Sequence, residues 1–101
     1  MEIKKAQDLV YEHLEKIGYL KSETTPTHAF LHLVEELGEV SRVLLHMETK
    51  RGDFANGTNP GEISDEVADI FWQTLKLVSY LNIDLDKAFV DKLEKNRAKN
   101  H

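Results

Sequence analysis

Phe30-Leu31-His32-Leu33-Val34-Glu35-Glu36-Leu37-Gly38-Glu39-Val40 is the stretch on which the fold turns. It lies inside a predicted helix from Pro26 to about Glu48, with Thr25 as N-cap and Pro26 at the first helical position. Phe30, Leu33, Leu37, Val40, Leu44 and Met47 recur in alternating steps of three and four, as the seam of a coiled coil does. Leu31, Val34, Gly38 and Leu45 add a second stripe on the adjacent flank, so more than half the circumference is apolar. Such a helix belongs at the centre of the molecule, packed against several helices or against a second subunit. Gly38 costs about 1 kcal/mol of helix propensity against alanine, which suits a close helix contact.

The narrow sector left over carries Glu35, Glu36 and Glu39, together with His28, His32 and His46. Taken alone it reads as a solvated charged face. It is answered, after the 26 residues 40–65, by Glu66-Val67-Ala68-Asp69. At about 100° per residue the three glutamates fan over roughly 100° of their helix, and Glu66 and Asp69 stand about 60° apart on theirs. If the two faces oppose each other, at least four carboxylates converge. Two unit charges about 4 Å apart interact by roughly 4 kcal/mol at an effective dielectric of about 20, so a bare cluster is partly protonated or holds a cation. An all-oxygen donor set favours Mg²⁺, or Mn²⁺, over zinc. His28, His32 and Glu36 at steps of four suggest zinc only superficially, since nothing presents them together with a buried carboxylate.

Outward from the two acidic motifs the chain reads as helices throughout. Residues 2–18 form the first, with Ile3, Ala6, Val10, Leu14 and Ile17 at helical spacing and Gly18 as stop. Tyr11, Tyr19 and His13 face either a ligand or, as half-buried groups, the packing. Residues 51–61 form the only long loop, a connection or a substrate lid. The third helix starts near Gly61, its core face made by Ile63, Val67, Ile70, Thr74, Leu77, Val78 and Leu81 and widened by Phe71 and Leu75. Glu66 borders that face and Asp69 sits within Val67-Ala68-Asp69-Ile70-Phe71-Trp72, where a carboxylate is normally paired, hydrogen-bonded or metal-bound. Asp84 is the expected N-cap of a last helix with Leu85, Ala88, Phe89 and Leu93 inward and a basic end, Lys92 to Lys99. Lys92 and Asn96, one turn apart, suit a phosphate.

The 101 residues are expected to form one all-α domain of four main helices, 1–101, with a modest core. A hydrophobic fraction of 41% and a charged fraction of 31% fit a soluble protein. With no cysteine, disulfide and thiolate chemistry are excluded, in keeping with a reducing cytoplasm. No apolar run approaches the roughly 20 residues of a membrane span, and MEIKKAQDLV lacks a signal-peptide core. A cytoplasmic protein without membrane attachment is expected. The net charge of −5 argues against general nucleic-acid binding but not against a nucleotide held through a metal.

In Glu35-Glu36-Leu37-Gly38-Glu39 and Glu66-Val67-Ala68-Asp69 the chain resembles the MazG-type nucleoside triphosphate pyrophosphohydrolases of the all-α NTP pyrophosphatase superfamily. Their pattern is Glu-Glu-x-x-Glu, a variable spacer and Glu-x-x-Asp. The resemblance covers roughly residues 26–99, including Leu81-Asn82-Ile83-Asp84 and Lys92-Leu93-Glu94-Lys95-Asn96-Arg97. It implies a helical bundle completed by tight dimerisation, sometimes paired again into a tetramer. It also implies Mg²⁺-dependent hydrolysis of a nucleoside triphosphate to the monophosphate and pyrophosphate. The implied metal ligands are Glu36, Glu39, Glu66 and Asp69, with Glu35 orienting or deprotonating the attacking water. Lys92 and Asn96 match positions that contact phosphates or sugar, and Lys92 is placed to stabilise the departing pyrophosphate. Trp72, Phe54, Tyr19, His28 and His32 are candidates to meet the base. Two alternatives stay open: phosphoribosyl-ATP pyrophosphohydrolase of histidine synthesis, and a helical interaction module without turnover. The first usually carries a Tyr-His or similar pair where Phe71, Trp72 and Gln73 stand here.

Overall fold

Ala6, Val10 and Leu14, each four residues from the last, are the buried stripe of helix α1 (Ile3–Lys16). The helix stops two residues before Gly18, whose φ of 77° a side chain would resist. Ile17 N–H donates to the His13 carbonyl at 3.1 Å and Gly18 N–H to that of Glu15 at 3.1 Å, so two end carbonyls are satisfied. A single 3₁₀ turn, Tyr19–Lys21, follows. The computed structural model describes residues 2–21, 25–49 and 60–99, and within them the remaining elements are α2 (Pro26–Thr49), α3 (Pro60–Leu81) and α4 (Leu85–Ala98). Among the described residues there is no strand, and no helix is long and apolar enough to cross a membrane. The chain is all-α, as expected. Residues 51–59 of the expected loop or lid, Phe54 among them, lie outside the described residues.

The helices group into two compact units. One joins residues 1–26 to 75–101. Its core is Ala6, Val10, Leu14, Leu75 and Val78, with Tyr19, Leu20 and Leu85 packed against it. Tyr19 is a packing group: its ring meets Tyr80 edge to face with centroids 6.1 Å apart, and Lys76 Nζ sits 4.4 Å from its centroid. Tyr80 Oη donates to the Tyr19 carbonyl at 3.2 Å. The turn from α3 to α4 is held from both sides by one amide. Gln7 Nε2 donates to the Ile83 carbonyl at 2.7 Å, and Leu85 N–H donates to Gln7 Oε1 at 3.2 Å. Asp84 caps α4 as expected, accepting from Lys87 N–H at 3.2 Å. Leu85 and Leu93 of α4 are half-buried, but Ala88 and Phe89, expected inward, are exposed.

The other unit, residues 27–74, contains most of α2 and the first two-thirds of α3. Ala29 and Val43 are fully buried, and Leu33, Glu36, Val40 and Met47 are half-buried. These six positions fall at steps of four and three, so they define the inward face of α2. The expected seam is therefore split: Leu33, Val40 and Met47 lie inward, while Phe30, Leu37 and Leu44 are exposed. A helix apolar over more than half its surface admits two seams at nearly the same spacing. The small Ala29 and the charged Glu36 disguise the one that is used.

Candidate metal centre

Glu36 sits in the middle of the inward face of α2, between Leu33 and Val40, and this position draws its carboxylate out of solvent. Glu66 does the same on α3, one turn from both Ile63 and Ile70, and both glutamates are half-buried. One carboxylate oxygen from each of Glu36, Glu66 and Asp69 comes within 4.8 Å of the other two. Oε2 of Glu66 is buried and accepts no hydrogen bond. Lost solvent, first, and the charges of Asp69, Glu66, Glu39 and Glu35, in that order, raise the Glu36 carboxyl above the ordinary glutamate range. Glu66 is raised too, by burial first and then by Glu39, Asp69 and Asp65, while the Arg42 guanidinium pulls the other way.

This donor set fits a hard divalent cation. All donors are oxygens, one of them orphaned, and two carboxyls are held above their ordinary range by burial first and then by mutual repulsion, which a cation would reverse. Carboxylate oxygens within 4.8 Å of one another are brought onto one ion by side-chain rotation. Glu36, Glu66 and Asp69 would hold the ion.

Glu39, the fourth expected ligand, lies close enough to raise both glutamates, but its Oε2 accepts from Arg42 Nη2 at 3.3 Å. Both partners are about half exposed, so this pair contributes at most about 1 kcal/mol and is readily exchanged. Arg42 escaped the sequence reading; its spacing of three from Glu39 on a helix was the available signal. Glu35 is exposed and adds its charge to the field at Glu36. His32 is half-buried and Trp72 37% exposed, both within the same unit. Lys92, exposed, and Asn96, half-buried, belong to α4 in the other unit.

The family model of the MazG nucleotide pyrophosphohydrolase domain matches residues 24–101. The chain belongs to that family. The match spans both acidic motifs and all of α2, α3 and α4. Comparison with curated proteins and with solved structures gave no match. MazG chains are typically metal-dependent, and the carboxylate cluster in this one stands on the two motifs by which its sequence resembles them.

Proposed function

We propose that this MazG chain hydrolyses a nucleoside or deoxynucleoside triphosphate to the monophosphate and pyrophosphate, with Mg²⁺ (or Mn²⁺ in its place) as cofactor, in cytoplasmic nucleotide-pool housekeeping. The observation that carries the reading is the meeting of Glu36, Glu66 and Asp69, with one buried oxygen of Glu66 orphaned. A triphosphate repels an oxygen nucleophile, and pyrophosphate gathers negative charge as it leaves. A divalent cation in this cluster would supply the opposite charge and lower the pKa of bound water.

The residues of the chain do the rest. Glu36, Glu66 and Asp69 would hold the cation, with Glu39, whose pair with Arg42 is exposed, as the fourth ligand. Glu35, free of a core environment, accepts the proton of the attacking water as its oxygen bonds to the α-phosphorus. The bond from that phosphorus to the bridging oxygen breaks, and the electron pair leaves with pyrophosphate. Lys92 stabilises that leaving group and Asn96 contacts phosphate or sugar, both roles resting on the resemblance. Trp72 and His32 contact the nucleoside.

The active form is a homodimer or a dimer of dimers. Leu31, Val34, Leu37, Leu44 and Leu45 of α2 are large, apolar and exposed, as are Val67 and Phe71 of α3. Leu37, Val40, Leu44 and Leu45 line a groove of about 400 Å³, and Ile63, Val67, Ala68 and Phe71 line another of about 440 Å³. Apolar surface so concentrated in a short chain supports burial against a second copy.

The reading is tested by product analysis on NTPs, dNTPs and phosphoribosyl-ATP, with Mg²⁺ and with EDTA. Monophosphate plus pyrophosphate, formed only with metal, is the expected result. Release of orthophosphate places the cleavage at another bond and overturns it. Turnover of phosphoribosyl-ATP alone assigns the chain to histidine synthesis instead. Failure on every substrate leaves the interaction module.

A further inference from the structure

Gln73 carries the second orphaned oxygen of the described residues: its Oε1 is buried and accepts no hydrogen bond. The position is four residues beyond Asp69 and seven beyond Glu66 on the same helix. At 100° per residue it lies about 40° from Asp69 and about 20° from Glu66 around α3, and about 6 Å further along the axis than Asp69. Helical side chains lean toward the N-terminus, so an extended residue at 73 covers the turn that carries Asp69. Three polar residues thus share one stripe of α3, and two of them hold oxygens that lack a donor. A buried acceptor without a donor is destabilising, so its donor comes from ordered water or from a ligand.

The chemistry of the atom narrows that donor. Oε1 is an amide carbonyl and can only accept. Phosphate oxygens are acceptors as well, so the triphosphate offers it nothing. A hydrated Mg²⁺ is different, because it keeps several waters when protein carboxylates supply the remaining ligands, and each of those waters donates. We infer that Gln73 is a positioning residue for the cation, its Oε1 accepting a hydrogen bond from the ion's hydration shell. The inference rests on the metal reading proposed above and adds a residue outside both acidic motifs.

The test compares Gln73→Met, which keeps length and removes the acceptor, with Gln73→Glu, which keeps an acceptor, using Mg²⁺ alone as probe. Calorimetric titration is expected to show Mg²⁺ binding weakened about tenfold or more in Gln73→Met, the range for loss of an indirect metal partner, and restored in Gln73→Glu. In EDTA the melting temperature of Gln73→Met is expected to match or exceed that of the parent, since an unsatisfied buried group has gone. A lower melting temperature in EDTA with unchanged Mg²⁺ affinity makes Gln73 structural and overturns the inference. An unchanged Mg²⁺ affinity with a raised KM for the nucleotide assigns the donor to sugar or base and also overturns it. Glu66→Gln is the control. Parent binding that is lost in Glu66→Gln but kept in Gln73→Met sinks this inference alone, whereas a parent that binds no Mg²⁺ sinks it together with the metal reading.

Discussion

Glu36 and Glu66 tie the protonation of the chain to its stability and to its cation. Both carboxyls are raised in the folded protein, so folding disfavours their ionised forms. The contribution is fully present below the ordinary glutamate range, where both are protonated whether folded or not. It is lost as pH rises through the raised values, because the unfolded chain ionises more easily. Metal-free protein is therefore expected to melt at a falling temperature as pH climbs from the ordinary glutamate range toward neutrality. Added Mg²⁺ should cancel much of that fall. Thermal melts in EDTA and in Mg²⁺ across this window check both arms; a metal-free melting temperature that rises with pH would contradict the assigned direction. Glu66→Gln should flatten the metal-free slope, match or exceed the parent's melting temperature at neutral pH, and cut Mg²⁺-dependent turnover by at least about 100-fold, the upper end for loss of an indirect metal partner. Normal turnover in the folded variant would remove Glu66 from the metal site. Lys92→Ala, an exposed change, should lower turnover without moving the melting temperature; an unchanged rate and affinity would end its proposed role.

Helix ends in this chain are decided by single residues. Asn82 adopts φ 53° just past α3, and Ile83 N–H reaches back to the Val78 carbonyl at 3.2 Å, the six-to-one bond of a Schellman end. Asparagine tolerates that left-handed geometry and a β-branched residue does not. Asn82→Val is expected to cost about 1–2 kcal/mol in chemical denaturation, while Asn82→Gly stays near neutral. Equal stability of the two would mean that the turn relaxes into another conformation. Signals of this local kind were legible in the sequence: Pro26 opens α2, Gly18 lies just beyond α1, and Asp84 caps α4. Which side of α2 turns inward was not. Apolar spacing ranked Phe30, Leu37 and Leu44 with Leu33 and Val40, because periodicity counts greasy residues and overlooks a glutamate on the buried stripe. The two motifs could be paired from their residue types, but the Arg42 contact of Glu39 and the orphaned oxygen of Gln73 depend on rotamers that no spacing encodes.

At the scale of the whole molecule, the displaced seam becomes an argument about assembly. A stable interface buries about 800 Å² per partner, and large apolar side chains at its centre contribute most. Leu31, Val34 and Leu45 fall on one side of α2, opposite the face that carries Glu36 and Val43, and each is 45–56% exposed. Inside a single chain these residues gain little from folding; covered by a second copy, each contributes at roughly 25 cal/mol per Å² of apolar surface removed from water. The protein is therefore expected to sediment at twice or four times its 11.6 kDa. The double variant Leu31→Glu/Leu45→Glu places two charges on that face without touching the carboxylate cluster. It should move the sedimentation toward the single chain and retain helical circular dichroism. If the dimer shares its active site, turnover falls with assembly; if each copy is self-sufficient, turnover survives in the monomer. A parent chain that sediments at 11.6 kDa at micromolar concentration would remove the dimer altogether, and the exposed face of α2 would then require another partner.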